Sequence, residues 1–96
     1  MKPSEALQTH RAAIRRVIEQ SRMRNARVFG SVLHGEDTSD SDLDLLVDAL
    51  PGATLLDLGA VQFELEELLD VSVDVLTPGD LPAKFRDQIL KEAALV

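Results

Sequence analysis

Ala6, Leu7, His10, Ala13, Ile14, Val17, Ile18 and Ser21 recur at the three- and four-residue spacing of one helical face. That spacing predicts a helix from about Glu5, with Ser4 placed to cap it. Arg11, Arg15 and Arg22 fall on another face, and His10 lies at the edge of the stripe as a packing or capping residue. The period then drops toward two. Ala26–Phe29 reads as a short strand ended by Gly30, Gly30 to Gly35 as a tight turn into a short helix, and Glu36–Ser41 as a polar turn. Over Asp42–Asp48, Leu43, Leu45 and Val47 take one face while Asp42, Asp44, Leu46 and Asp48 take the other. This is a strand with one carboxylate-bearing face. Pro51-Gly52 interrupts it. Leu55–Leu69 returns to helical spacing, with Leu55, Leu58, Gln62, Leu65 and Leu69 in a stripe widened by Val61 and Leu68. Val71–Leu76 alternates again, with Asp74 on the polar side. Pro78-Gly79 marks a turn, and Asp80 is placed to cap a last helix reaching about Ala94, with Phe85, Ile89, Leu90 and Ala93 inward.

The order α-β-(short α)-β-α-β-α predicts an α+β fold in a single domain, residues 1–96, with one small sheet and helices packed on one face. The other face is then free to carry a site. No repeat, linker or low-complexity tract interrupts the chain. The absence of cysteine excludes disulfides and Cys-ligated metals. No apolar run approaches the roughly 20 residues of a membrane span, and no signal segment is visible, so a cytoplasmic setting is expected.

Charge changes the picture more. The net charge is −7, and only 3% of residues are aromatic, with no Trp or Tyr. Extended nucleic acid needs a basic footprint and single strands need stacking platforms, so both are excluded as ligands. Residues 1–29 carry seven Arg/Lys and two Asp/Glu, whereas residues 30–96 carry three and fifteen. The basic first helix is a candidate surface for an acidic partner, with an ordinary solvated face as the alternative.

The acids of the second half suggest chemistry. Side chains two apart on a strand share a face, roughly 6.5–7 Å apart at a rise of about 3.3 Å per residue. Asp42 and Asp44 can therefore converge on divalent cations, and Asp74, on a strand of the same pattern, can join them if the two strands pair. Mg²⁺ takes oxygen ligands and is usually held by one or two carboxylates together with substrate phosphates. A solvated polar strand face is the competing explanation, and it is the better one for Asp48. Upstream, Gly30-Ser31 follows a strand. A glycine there lets backbone approach a ligand, and a serine capping the next helix offers hydroxyl and N–H groups to an anion. Two other motifs are excluded. Gly30 and Gly35 have Walker spacing, but Glu36-Asp37 stands where Lys-Ser/Thr is required. Asp40, Asp42 and Asp44 begin like a calcium loop, but Leu45 and Pro51 stand where Gly and Glu are needed.

Gly30-Ser31, its spacing to Ser41-Asp42-Leu43-Asp44-Leu45-Leu46-Val47, and Val73-Asp74-Val75 together resemble the nucleotidyltransferase superfamily of the DNA-polymerase-β type. The short chain is similar to the minimal nucleotidyltransferases, the antitoxin half of HEPN–MNT toxin–antitoxin pairs. The resemblance implies a small mixed sheet, two Mg²⁺ ions and ATP as donor. It implies transfer of AMP to a tyrosine of a cognate HEPN-family RNase toxin. By position, Asp42 and Asp44 would bridge the metals, and Asp74 would bind the catalytic metal and help activate the acceptor hydroxyl. Gly30, Ser31 and Ser41 would bind the nucleotide, the first two at its β/γ-phosphates. The chain departs from the family at Gly30-Ser31-Val32-Leu33-His34-Gly35, where Gly-Ser-x-Ala-Arg-Gly is common, so His34 replaces a permanent cation. The last helix also lacks an aromatic residue that such chains often carry near its end.

A different class of function also fits these residues: a catalytically inactive module that neutralises a toxin by covering it. A free-standing transferase acting on a small molecule fits less well, because one small domain has no second domain to wall an acceptor pocket. The missing wall is expected from a partner chain or from a second copy in a homodimer.

Overall fold

The computed structural model describes all residues 1–96. The predicted first helix is divided into α1 (Pro3–Thr9) and α2 (Arg11–Glu19) at His10, whose φ of −115° and ψ of 22° leave helical geometry. The hydrogen bonds His10 N–H to Ala6 O (3.0 Å) and Ile14 N–H to His10 O (2.9 Å) carry the chain across the bend. Both halves then lay apolar side chains, Ala6 and Leu7 from α1 and Ile14 and Ile18 from α2, on one core. Ser4 is not the cap. It lies inside α1, and its N–H donates to the carboxylate of Asp37, 33 residues on (2.9 Å). That bond holds the Asp37 carboxyl below the usual carboxylate range.

Strand β1 (Met23–Phe29) begins three residues before the sequence pattern suggests. Asn25 at φ 60° and a register shift between Arg24 and Arg27 mark a bulge, which breaks the two-residue period and hides the strand's first half. The one-turn helix α3 (Gly30–Leu33) follows directly, and β2 (Leu43–Ala49) starts one residue after Asp42. Helix α4 (Leu55–Leu69) is capped by Asp57, whose carboxylate accepts the N–H of Thr54 (2.7 Å), and ends at Asp70 in left-handed geometry. Strand β3 (Val73–Leu76) leads to a 3-10 turn at Pro78–Asp80, then helix α5 (Ala83–Glu92) and a short strand β4 (Ala94–Leu95).

The C-terminal part departs most from the sequence pattern. Asp80 caps the 3-10 turn by accepting the N–H of Thr77 (3.0 Å), and α5 starts only after Pro82. Phe85 and Leu90 are 48% and 39% exposed, so only Ile89 and Ala93 of the expected inward set reach a core. Ala94–Leu95 leaves the helix to pair with β1, a tertiary contact that short-range spacing cannot reveal.

The sheet order is β3-β2-β1-β4. β2 runs parallel to β3, the crossover being α4, and β1 is antiparallel to both β2 and β4. One face carries the main core: Leu43, Leu45 and Val47 of β2 and Val73 and Val75 of β3 meet α1, α2 and α4. The opposite face is only partly free. Phe29, Leu46 and Leu81 form a small second cluster there, with Ile89 and Ala93 of α5 against it. Arg11 and Arg15 of α2 and Arg22 in the turn after it hold main-chain carbonyls: Arg15 Nε bonds Val96 O (2.7 Å), Arg22 bonds Gly52 O (3.2 Å) and Arg11 reaches Leu95 O (3.5 Å). They tie this segment to β4 and to the turn after β2.

Candidate active site

Strand register builds the site. Leu43, Leu45 and Val47 are fully buried, which pins the face of β2, because a one-residue slip would send carboxylates into the core. Asp44 therefore projects from the opposite face. Antiparallel pairing sets Phe29 beside Asp44, and parallel pairing sets Asp74 beside Asp44. Three neighbouring strands thus bring Gly30, Asp44 and Asp74 into one row. Asp42 stands just before β2 and is exposed.

Gly30 is required at its position on two counts. Its φ is +75°, and a Cβ there would collide with the Asp44 carboxylate. The turn out of β1 consequently lies directly against Asp44. Ser31 is the second residue of α3, with Phe29 in the capping position, so Ser31 does not cap the helix as its sequence context suggests. Ser41 closes the preceding turn, its Oγ accepting the N–H of Thr38 (2.8 Å).

The electrostatics are one-sided. Arg27 pairs with Asp48 (2.8 Å) and His34 Nε2 lies 3.2 Å from a Glu92 carboxylate oxygen, and neither contact involves Asp42, Asp44 or Asp74. Burial, then the neighbouring Asp74 and Asp42 carboxylates, push the Asp44 carboxyl up to about 6. Burial and the charges of Asp42 and Glu66 raise Asp74 as well. Asp48, by contrast, is a structural partner: it accepts bonds from Arg27 (2.8 Å) and from Asn25 at the bulge (2.9 Å). His34 joins the end of α3 to α5 through Glu92. Together with Phe29, Gly30, Phe85, Gln88 and Ile89 they line a groove of about 330 Å³ beside Gly30.

No three His, Asp or Glu side chains close into a ready-made metal cage. The arrangement is two adjacent carboxylates, Asp44 and Asp74, with the exposed Asp42 nearby. This donor set fits Mg²⁺, which needs no full protein cage because it retains waters and shares substrate phosphates. A cation would also relieve the uncompensated repulsion that favours a proton on Asp44. The sequence pattern puts Gln62 in the inward stripe of α4 and leaves Glu66 without a role, but both bond the outer edge of β3: Glu66 accepts the N–H of Val73 and Gln62 that of Val75, each at 3.1 Å. The available signal was a glutamine inside an otherwise apolar helical stripe.

Comparison with known proteins agrees with this architecture. Residues 11–96 match the nucleotidyltransferase domain family. A Methanocaldococcus jannaschii protein named as a protein adenylyltransferase, MJ0435, is 42% identical over 71 residues, covering 74% of this chain and 76% of its own length. The protein adenylyltransferase MntA of Thermococcus cleftensis is 33% identical over 90 residues, covering 94% and 88%. A solved minimal nucleotidyltransferase structure superposes with a TM-score of 0.85 at 41% identity, over 97% of this chain and 95% of that one. A chain of the MntA-HepT toxin–antitoxin complex shares the fold, with a TM-score of 0.68 at 17% identity over 92% of this chain and 69% of that one. The match over 86 of its 96 residues, and the row that its sheet makes of Gly30, Asp44 and Asp74, identify this chain as a member of the nucleotidyltransferase domain family.

Proposed function

We propose that this chain is a protein adenylyltransferase acting as an antitoxin, which moves AMP from ATP to a hydroxyl of a partner toxin. The acceptor is a tyrosine of a HEPN-family RNase, and the setting is the cytoplasm. The observation that carries this reading is the pairing of Asp44 with Asp74 across parallel strands, unneutralised by any Lys or Arg, with Gly30 packed against Asp44. The naming of similar chains as protein adenylyltransferases, and the occurrence of the fold in a toxin–antitoxin complex, support the choice of donor and partner.

In the reaction, the acceptor oxygen forms a bond to the α-phosphorus of ATP, and the bond from that phosphorus to the bridging oxygen breaks. Pyrophosphate leaves, and the hydroxyl proton passes to a carboxylate. Asp42, Asp44 and Asp74 would hold two Mg²⁺ ions, which when bound neutralise charge on the attacking and leaving oxygens. Asp74, on the outer strand, would take up the acceptor proton. Gly30 and Ser31 offer main-chain N–H and hydroxyl groups to the β- and γ-phosphates, and Ser41 lies at the turn that delivers Asp42. α5 covers part of this face of the sheet, while α1, α2 and α4, and Val32 and Leu33 of α3, pack against the core behind it. The acceptor wall is then supplied by another chain, the toxin.

The test is co-expression with the product of the neighbouring reading frame, read by intact mass. The wild-type chain is expected to add adenylate-sized increments to that product in the presence of Mg²⁺, and Asp42→Asn and Asp44→Asn to abolish them while remaining folded. Undiminished labelling in both variants sinks the assignment. Neutralisation that survives in the double variant, without labelling, assigns the chain to steric blocking instead.

A further inference from the structure

β3 is an outer strand, so one of its edges has no neighbouring strand. Leu43 N–H donates to Ser72 O (2.8 Å), and the parallel register that follows turns the main-chain groups of Asp74 toward β2. The N–H groups of Val73 and Val75, on either side of Asp74, are left facing outward. Both are taken by side chains of α4: Glu66 Oε2 accepts from Val73 and Gln62 Oε1 from Val75, each at 3.1 Å.

The match is one of periods. Residues four apart on a helix are separated by about 6 Å along its axis, and alternate residues of a strand by about 6.6 Å. Gln62 and Glu66 can therefore present two acceptors at the spacing of two outward N–H groups. Val61, Leu65 and Leu69 fix α4 in the core, so the two acceptors sit on a rigid element. A third carboxylate beside Asp74 is also an expensive choice for mere solvation, because no cation pairs with it.

We propose that Gln62 and Glu66 are positioning residues for nucleotidyl transfer: their side-chain oxygens stand in for a missing strand and hold Asp74 opposite Asp44. The inference rests on the role proposed above for Asp74. Neither side chain touches the reacting atoms. They act through the backbone of β3, and small displacements of a reacting group cost rate more than they cost binding.

The test uses the full chain, copurified with the product of the neighbouring reading frame as acceptor, with radiolabelled ATP and Mg²⁺. Amide exchange at Val73 and Val75 is followed by NMR in the same variants. Gln62→Ala and Glu66→Ala are expected to speed exchange at Val75 and Val73 respectively and to lower kcat about tenfold, with KM for ATP changed less than about twofold. Gln62→Glu and Glu66→Gln keep an acceptor oxygen and are expected to recover most of both. Rapid exchange with unchanged kcat would show that the bonds only seal the sheet edge, and would overturn the proposal. Loss in Glu66→Gln equal to that in Glu66→Ala would overturn it in favour of a charge effect. Asp74→Asn separates the two levels. Full transfer in that variant removes the role of Asp74 and the positioning claim with it. Loss there, with full kcat in the alanine variants, removes the positioning claim alone.

Discussion

Asp44 answers to two opposing requirements. The proposed role needs it ionised to hold a cation, yet its half-buried place beside Asp42 and Asp74 favours the proton, with its carboxyl raised to about 6. In the unfolded chain an aspartate titrates near 3.9. The folded state therefore binds the proton more tightly, and the stability this contributes is complete below about pH 4 and lost as pH rises through about 6. Without divalent cation, the wild-type chain is expected to lose on the order of 1–2 kcal/mol relative to Asp44→Asn between pH 4.5 and 7.5, after allowance for solvent screening. Urea unfolding at several pH values measures this, and parallel curves for the two proteins would contradict it. Gly30 offers a second single-residue test. Gly30 and Gly35 both have positive φ, but only at Gly30 does a Cβ meet another group. Gly35→Ala should cost roughly 1–2 kcal/mol, the left-handed penalty alone, and leave transfer intact. Gly30→Ala should cost more and abolish transfer, because the Asp44 carboxylate must move. Equal stability losses, with transfer retained in both, would count against the close approach.

At the scale of elements, α4 shows how far hydrophobic spacing carries. Its stripe places Leu65 and Leu69 in the core, as read from sequence, but Leu55 from the same stripe is 80% exposed and Leu56 beside it 85%. In the same first turn Leu58 packs against the core, so the helix turns Leu55 and Leu56 away from it. Leu65→Ala is expected to cost about 2–5 kcal/mol, whereas Leu56→Ala should change stability by under about 0.5 kcal/mol. Urea midpoints for the pair check this, and similar shifts for both would mean that burial does not set the cost. Other elements were less legible. The bulge at Asn25 hid half of β1, because it breaks the two-residue period. The bend at His10 left no mark in the spacing, since both halves share one buried face. β4 consists of two residues defined by pairing with β1. In α5, Phe85 and Leu90 keep helical spacing while staying largely exposed.

For the whole molecule, the layers decide what is accessible. α1, α2 and α4 fill one face of the sheet, and α5 covers only part of the other, so the carboxylate row lies open beside α3. The charge asymmetry takes on a different meaning in this setting. Arg11, Arg15 and Arg22 bond main-chain carbonyls of the chain itself, so part of the basic first third braces the fold from its surface. The sequence alone determined the α+β order as far as β3 and the buried face of β2, and it made Asp42, Asp44 and Asp74 candidates, because strand period and motif interval are read within single segments. The two-residue period and the Gly30-Ser31 to Asp42-x-Asp44 interval are local properties. Only the tertiary structure decided that Asp44 faces Asp74, that Gly30 lies against Asp44, and that Gln62 and Glu66 secure the outer strand. Those contacts depend on strand order and register, which are set by the packing of segments far apart in the chain and leave no periodic trace in any one of them.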